Sequence, residues 1–513
     1  MSLGIVDPTT KANEDIYVMD IEEIEKALST LNYLLTAQSL RLWQGKGPLQ
    51  GGRFYSDFEH ILNTDSIREI REMTSGVPYG KRIYHTALGH YLQYKVAPYE
   101  DEMYSWMRGA AAHIDGEKIY LKDIIPWCQK KGNIYLRKML LKETTPLCKF
   151  LKPFALSYWE FFLKIIREEY GYADYIAYCI DKKGIDYDAF YHFLRQLMDE
   201  TQDLYFEAME QWARRSLNVS LNQLNRFDAI YILGLAEFDH LLSSRGSLVD
   251  HLDFFKYWNI EPRSMPGLHL DVNFSRRKSS QAMCFILKIP DEIYLVMNPQ
   301  GGWIDIETLF HEMGHAFSGI FTSPRLPLAQ KDFATSHTLS ETYAFLLQNV
   351  CFSQPFLQEW LGLSQRDAQT IVYYKTLKDM SIFRRYVSKF LAEYRVFKEE
   401  DIGNGNYYSR FLAEYTGFYY QPEAHLLDMV PEFYSLDYVI SWMAEAILEK
   451  RFIDNLGPEW MFKTEAGEVL KGWWRSGNRY ELDTFFAVHN LGKIDKKDIL
   501  NRWQENIGRG PPA

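Results

Sequence analysis

Apolar positions recur at helical spacing over most of the chain. Ile21, Ile24, Leu28, Leu31 and Leu34 open the pattern, which predicts a helix over about 16–43. Gly45-Lys46-Gly47-Pro48 and Gly51-Gly52 interrupt it. From about 54 to 242 the pattern reads as helix after helix, most clearly over 154–169 and over 187–216, the second being two helices run together. The short interruptions at 76–79, 115–118 and 182–185 have the length that joins antiparallel helices. After about Ser243 the texture changes. Ser264-Met265-Pro266-Gly267 reads as a turn, residues 269–274, 282–289 and 293–297 read as extended, and Pro290-Asp291-Glu292 turns the last two back on each other. Asn298-Pro299-Gln300-Gly301-Gly302 then breaks the chain before a helix within 304–320, whose buried face is Ile306, Leu309, Phe310, Met313, Ala316 and Phe317. Further helices are predicted over 335–350, 364–398, 407–414, 436–452, 466–476 and 480–490, with loose ends at 1–15 and 508–513. No repeat of fixed period is visible. The fold class is mainly α, with a small β element before the helix at 304–320.

That helix carries His311-Glu312-Met313-Gly314-His315. Histidines four apart on a helix point the same way, one turn from each other, so both imidazoles can bind one tetrahedral zinc ion while the intervening glutamate lies beside the metal's water. Asp305 and Glu307 occupy the first turn, where the helix dipole favours negative charge; Glu307, one turn before His311, could instead accept a hydrogen bond from a ligand imidazole. An open zinc site needs a third protein ligand. A third histidine in an HExxHxxGxxH pattern is excluded by Ser318 and Phe321, and a glutamate about twenty residues on is excluded by Ala334 and Thr335. Between His315 and Phe345 the carboxylates are Asp332 and Glu341. Asp332 follows Lys331 in a loop and reads as a solvated charge or a helix-start residue. Glu341 sits amid apolar neighbours in the next helix, where a buried carboxylate needs a partner such as zinc, and it is the predicted third ligand. His337, one turn earlier, reads as a helix-start residue, with ligation as the alternative. The strands ahead of the metal helix offer an edge for an extended peptide or form a purely structural hairpin.

Composition narrows the function classes. The 513-residue chain is 47% hydrophobic, which excludes general disorder. Its net charge is −11 with both signs interspersed, and the lack of a basic stripe excludes nucleic acid as a partner. Five dispersed cysteines (Cys128, Cys148, Cys179, Cys284, Cys351) form no disulfide framework and no metal pair. With no signal-peptide pattern and no apolar run of membrane length, the chain reads as cytoplasmic.

The stretch HEMGHAFSG, followed 26 positions after the second histidine by Glu341 in FATSHTLSE, resembles the M3 metallopeptidases, and within them the oligoendopeptidase F branch. Residues 277–284 and the turn at 298–302 are similar to the segment preceding the metal helix in that branch. The resemblance covers roughly residues 270–450. It implies a mainly helical fold in two halves around a deep substrate channel, with 1–250 as one wall and 251–513 as the zinc-binding part. It also implies an endopeptidase of short peptides, with one Zn²⁺ per chain held by His311, His315 and Glu341 and with Glu312 as general base and acid. In Pro431-Glu432-Phe433-Tyr434-Ser435-Leu436-Asp437-Tyr438, Tyr434 and Tyr438 resemble the family's tyrosine pair that binds substrate and transition state. The chain departs from the pattern just before them. The family has a histidine at the place of Asp428 or Met429, whereas here the nearest is His425, which a short bend would have to bring into the site. Two competing readings are an exopeptidase on the same metal site and a catalytically weak helical peptide-binding protein.

Overall fold

The protein is described by a computed structural model covering residues 20–47, 51–242, 246–508 and 510–511. The predicted lead-in at 1–15 therefore lies outside the described residues, as do the first positions of the opening helix and residues 509, 512 and 513 of the tail. Helices dominate, as the periodicity predicts. The opening helix runs Ile21–Trp43, and the double helix at 187–216 is Tyr187–Glu200 followed by Gln202–Leu217. The segment at 154–169 is the last part of one long helix, Ile134–Glu168, which continues through Pro146 and Pro153. Leu140, Cys148, Leu151, Ala155, Trp159 and Phe162 line its buried face, and that packing outweighs the local breaking tendency of the prolines.

Two small sheets are present among the described residues. β1 (Ala111–Ile114) and β2 (Glu117–Tyr120) form a hairpin at a place where the interruption was expected to join helices. Its turn is Asp115-Gly116, both at positive φ (51° and 80°), the combination that matches the twist of paired strands. β3 (Leu268–Asp271), β4 (Met283–Lys288) and β5 (Glu292–Val296) make the second sheet, at the three segments predicted as extended. Its order is β3-β5-β4, with β3 parallel and β4 antiparallel to β5, so β4 is an edge. Phe285 and Leu287 face Leu40 of the opening helix, while Ile286 and Ile293 reach Gly319 on the helix that follows the sheet.

One continuous apolar core runs from Ile24 to Ile507, crossing residue 250 without a break. All five cysteines are unpaired, four of them buried. Among the described residues no helix is long and apolar enough to cross a membrane.

Candidate active site

The motif helix is Trp303–Ile320. Asp239 fixes its start by accepting from the Trp303 N–H (3.0 Å), and Asp305 turns back to accept from the Gln300 and Gly301 amides (3.1 and 2.5 Å). Gly301 and Gly302 stand at φ 93° and 91°, which an L side chain rarely adopts, and this lets the chain turn from β5 into the helix. The six predicted core positions are all buried. Against this helix packs a second one, Thr338–Val350. They meet backbone to backbone, for a Cβ on Gly314 would lie 2.5 Å from the Ala344 Cα and 2.7 Å from the Tyr343 carbonyl oxygen. That approach brings Glu341 to the histidines.

His311, His315 and Glu341 each offer one ligand atom, all within 4.8 Å of one another. Glu341 Oε2 lies 3.5 Å from His311 Nε2 and 3.7 Å from His315 Nε2. The other ring nitrogens are engaged: His311 Nδ1 meets Gln348 Oε1 and His315 Nδ1 meets Ser340 Oγ, both at 2.8 Å. This turns each Nε2 toward the carboxylate. Behind Gln348 the network continues, its Nε2 donating to Glu307 Oε1 (2.9 Å) and the buried Lys378 ammonium pairing with the other oxygen of Glu307. Glu307 thus acts on His311 through Gln348 rather than directly. Glu341 Oε1 accepts from the Tyr434 hydroxyl (2.6 Å), whereas its buried Oε2 has no hydrogen-bond partner. Two inward nitrogens and an unsatisfied carboxylate oxygen are a donor set that suits zinc.

Burial opposes charge on Glu341, but His315 and His311 outweigh it and hold the carboxyl at about 2. Glu312 is also buried. Desolvation pushes its carboxyl up to about 7, with the Glu341 charge adding to the rise and with His311 and the main-chain N–H of Cys284 on β4 opposing it. Tyr434 and Tyr438 begin the helix Tyr434–Leu456. The rings meet edge to face (4.9 Å), and Tyr438 also stacks on Tyr386 (4.6 Å). Burial, reinforced by Glu341, raises both phenols far above their ordinary value, so both keep their protons.

The structure brings His311, Glu312, His315, Glu341, Tyr434 and Tyr438 together and leaves His425 out. No bend carries His425 in: its Nδ1 faces the Pro422 carbonyl (3.0 Å) and its Nε2 the Ile402 carbonyl (2.9 Å). Asp428, one of the two positions where the resemblance would put a histidine, is instead bound by Arg385, Lys389 and Tyr408. His337 stands just before the Glu341 helix, making no side-chain capping bond, and packs against Tyr434 without joining the cluster, and Asp332 accepts from Ser29. Ser340 and Gln348 were not anticipated. One adjoins Glu341 and the other follows it by two helical turns, so helical spacing alone carried the signal for Gln348.

Cavities adjoin residues around the cluster. One of about 240 Å³ touches His311 and is lined by Thr308, Phe345, Tyr386, Tyr438 and Trp442. Another of about 290 Å³ touches Ser340, with Ile286, Ser336 and His337 among its walls.

This architecture is shared with solved structures of peptidases. No protein-family model and no curated protein matches the sequence. Among solved structures, PZ peptidase A with an inhibitor matches over 95% of this chain and 92% of its own, with a TM-score of 0.66 and 13% identity. The BsuCP structure matches over 95% and 98%, with a TM-score of 0.59 and 13% identity. A protein provisionally assigned as oligoendopeptidase F from Bacillus anthracis str. Ames matches over 93% and 84%, with a TM-score of 0.53 and 16% identity. At these identities the likeness is one of fold.

Proposed function

We propose that the protein is a zinc-dependent endopeptidase of short peptides, with His311, His315 and Glu341 as the metal ligands. The observation that carries this reading is the buried, unpartnered Glu341 Oε2 facing two histidines whose other nitrogens are already tied. When bound, zinc would supply a Lewis acid that makes a water acidic enough to attack near neutral pH. Glu312, buried and with its carboxyl held near neutrality, takes the proton from that water and delivers it to the leaving amine. The protonated phenol of Tyr438 is the donor for the oxyanion, while Tyr434 spends its proton on Glu341 and orients that ligand. The edge of β4 runs past Glu312 at Cys284, where an extended peptide can add main-chain hydrogen bonds. The cavity beside His311 and Tyr438 offers room for peptide residues next to the site. The unpaired thiols suit a reducing compartment, the cytoplasm.

The test is cleavage of an internally quenched peptide blocked at both termini, with zinc content measured alongside. Wild type is expected to cut it, and Glu312→Gln to keep its zinc while losing activity by about 100- to 10,000-fold. No cut in the blocked peptide would overturn the endopeptidase assignment, and full activity in Glu312→Gln would remove Glu312 as the base.

A further inference from the structure

The chain enters the tyrosine helix through an unusual turn. Glu432 (φ 59°, ψ 31°) and Phe433 (φ 51°, ψ 39°) are successive non-glycine residues in the left-handed region. L-residues avoid that region, bulky ones above all, and such strain persists only where the surroundings over-determine it. Here they do. The Phe433 ring, 1% exposed, packs among Tyr187 (4.6 Å), Tyr175 and Phe397 (both 5.7 Å) and Phe390 (5.8 Å). Every polar group of Glu432 is held by the helix Tyr175–Lys183. Lys182 Nζ lies 2.7 Å from both carboxylate oxygens, and the Tyr178 hydroxyl donates to one of them (3.0 Å). The Glu432 N–H donates to the Tyr175 hydroxyl (2.6 Å), and its carbonyl accepts from Lys183 (2.6 Å). Lys183 also reaches Asp437 (2.9 Å), whose same oxygen accepts from Ser336 and from the His337 N–H, both at 3.4 Å, at the start of the Glu341 helix. The next residue after this elbow is Tyr434.

We infer that Lys182 and Lys183 are positioning residues of the active site: they hold the strained Glu432–Phe433 elbow so that the Tyr434 hydroxyl meets the metal ligand Glu341. The inference rests on the metal-site reading proposed above. Burial alone would raise the Glu432 carboxyl, but Lys182 and Lys183 hold it down at about 2, so the clamp is ionic under ordinary conditions. A purely structural ion pair would stabilise the fold without reaching the metal. This clamp should alter how tightly the metal is held.

Three variants test it: Lys182→Met, Lys182→Arg and Glu432→Gly, the last accepting the left-handed backbone while removing the carboxylate. Each is read for zinc affinity by chelator competition, for kcat and KM on the quenched peptide, and for hydrogen exchange over residues 430–438 in the metal-free chain. Lys182→Met and Glu432→Gly should weaken zinc binding about tenfold, lower kcat by about 10- to 100-fold with KM within about threefold, and speed exchange in that segment. Lys182→Arg should restore all three to within about threefold of wild type. Unchanged zinc affinity in Lys182→Met, with or without faster exchange, would overturn the inference. If Glu312→Gln keeps full activity, the proposed peptidase mechanism fails by itself, and zinc affinity still decides the clamp. If the chain binds no zinc, the inference falls together with the metal-site reading.

Discussion

The Tyr434 hydroxyl donates to one oxygen of Glu341 across 2.6 Å, and the other oxygen of that carboxylate is the one that faces His311 and His315. On the proposed reading the two tyrosines of the pair do different work, and their variants should separate. Tyr434→Phe leaves a buried carboxylate oxygen without its donor, so zinc should bind about tenfold more weakly, with a matching loss of activity at limiting metal. Tyr438→Phe should keep zinc affinity and lower kcat by about 100- to 1,000-fold. Chelator competition beside saturating-zinc kinetics distinguishes them, and equal zinc affinity in wild type and Tyr434→Phe would refute the orienting role.

Gln348 links His311 to the buried Glu307–Lys378 pair. Its replacement by alanine frees the His311 ring and leaves Glu307 short of a donor. We expect zinc affinity to fall by about 10- to 100-fold and the metal-free chain to lose about 1–3 kcal/mol in urea unfolding. Loss of stability with zinc affinity intact would show that Gln348 serves the core alone.

Gly314 sits where the two ligand helices touch, and the atoms that would meet a Cβ belong to the Ala344 and Tyr343 backbone. They cannot rotate aside as a side chain would. Gly314→Ala should cost about 1–3 kcal/mol by thermal or urea unfolding and should weaken zinc binding as Glu341 moves away from the histidines. A fully stable Gly314→Ala with normal zinc uptake would mean that the helices slide apart without consequence.

Glu432 supplies a pH signature. Its folded value of about 2 lies below the ordinary 4.5, so its contribution to stability is complete above 4.5 and is lost as pH falls from there toward 2. The difference in unfolding free energy between wild type and Glu432→Gln should be steady near neutrality and shrink in that acid window. A difference that does not change with pH would show that the clamp does not depend on the carboxylate's charge.

Much of this was legible before any coordinates. Helical periodicity located the helix that carries His311 and His315, because the two histidines and its buried face obey the same repeat. Glu341 was legible because a carboxylate inside an apolar stretch demands a partner, and β3, β4 and β5 because they alternate between turn residues. The β1–β2 hairpin was missed although Asp115-Gly116 is a hairpin signal, since its strands are four residues long and lie between helices. Ile134–Glu168 read as a shorter helix because Pro146 and Pro153 break the local pattern, and only long-range packing restores it. His425 was a candidate by its nearness in sequence to the tyrosines, but the carbonyls of Pro422 and Ile402 hold its ring elsewhere. The lysine clamp was out of reach, for no local pattern ties Lys182 to Glu432.

The order of these pieces along the chain has a bearing on synthesis. A polypeptide growing from its N-terminus presents Lys182 and Lys183 first, then His311, Glu312, His315 and Glu341, and the elbow with its tyrosines much later. A nascent chain that stops short of residue 432 already contains the proposed ligands and the proposed base, yet has nothing to grip with its lysines and no phenol to set against Glu341. On the proposed reading, a chain interrupted before residue 432 is chemically unfinished, and peptide cutting would begin only once the elbow and the two tyrosines have been made.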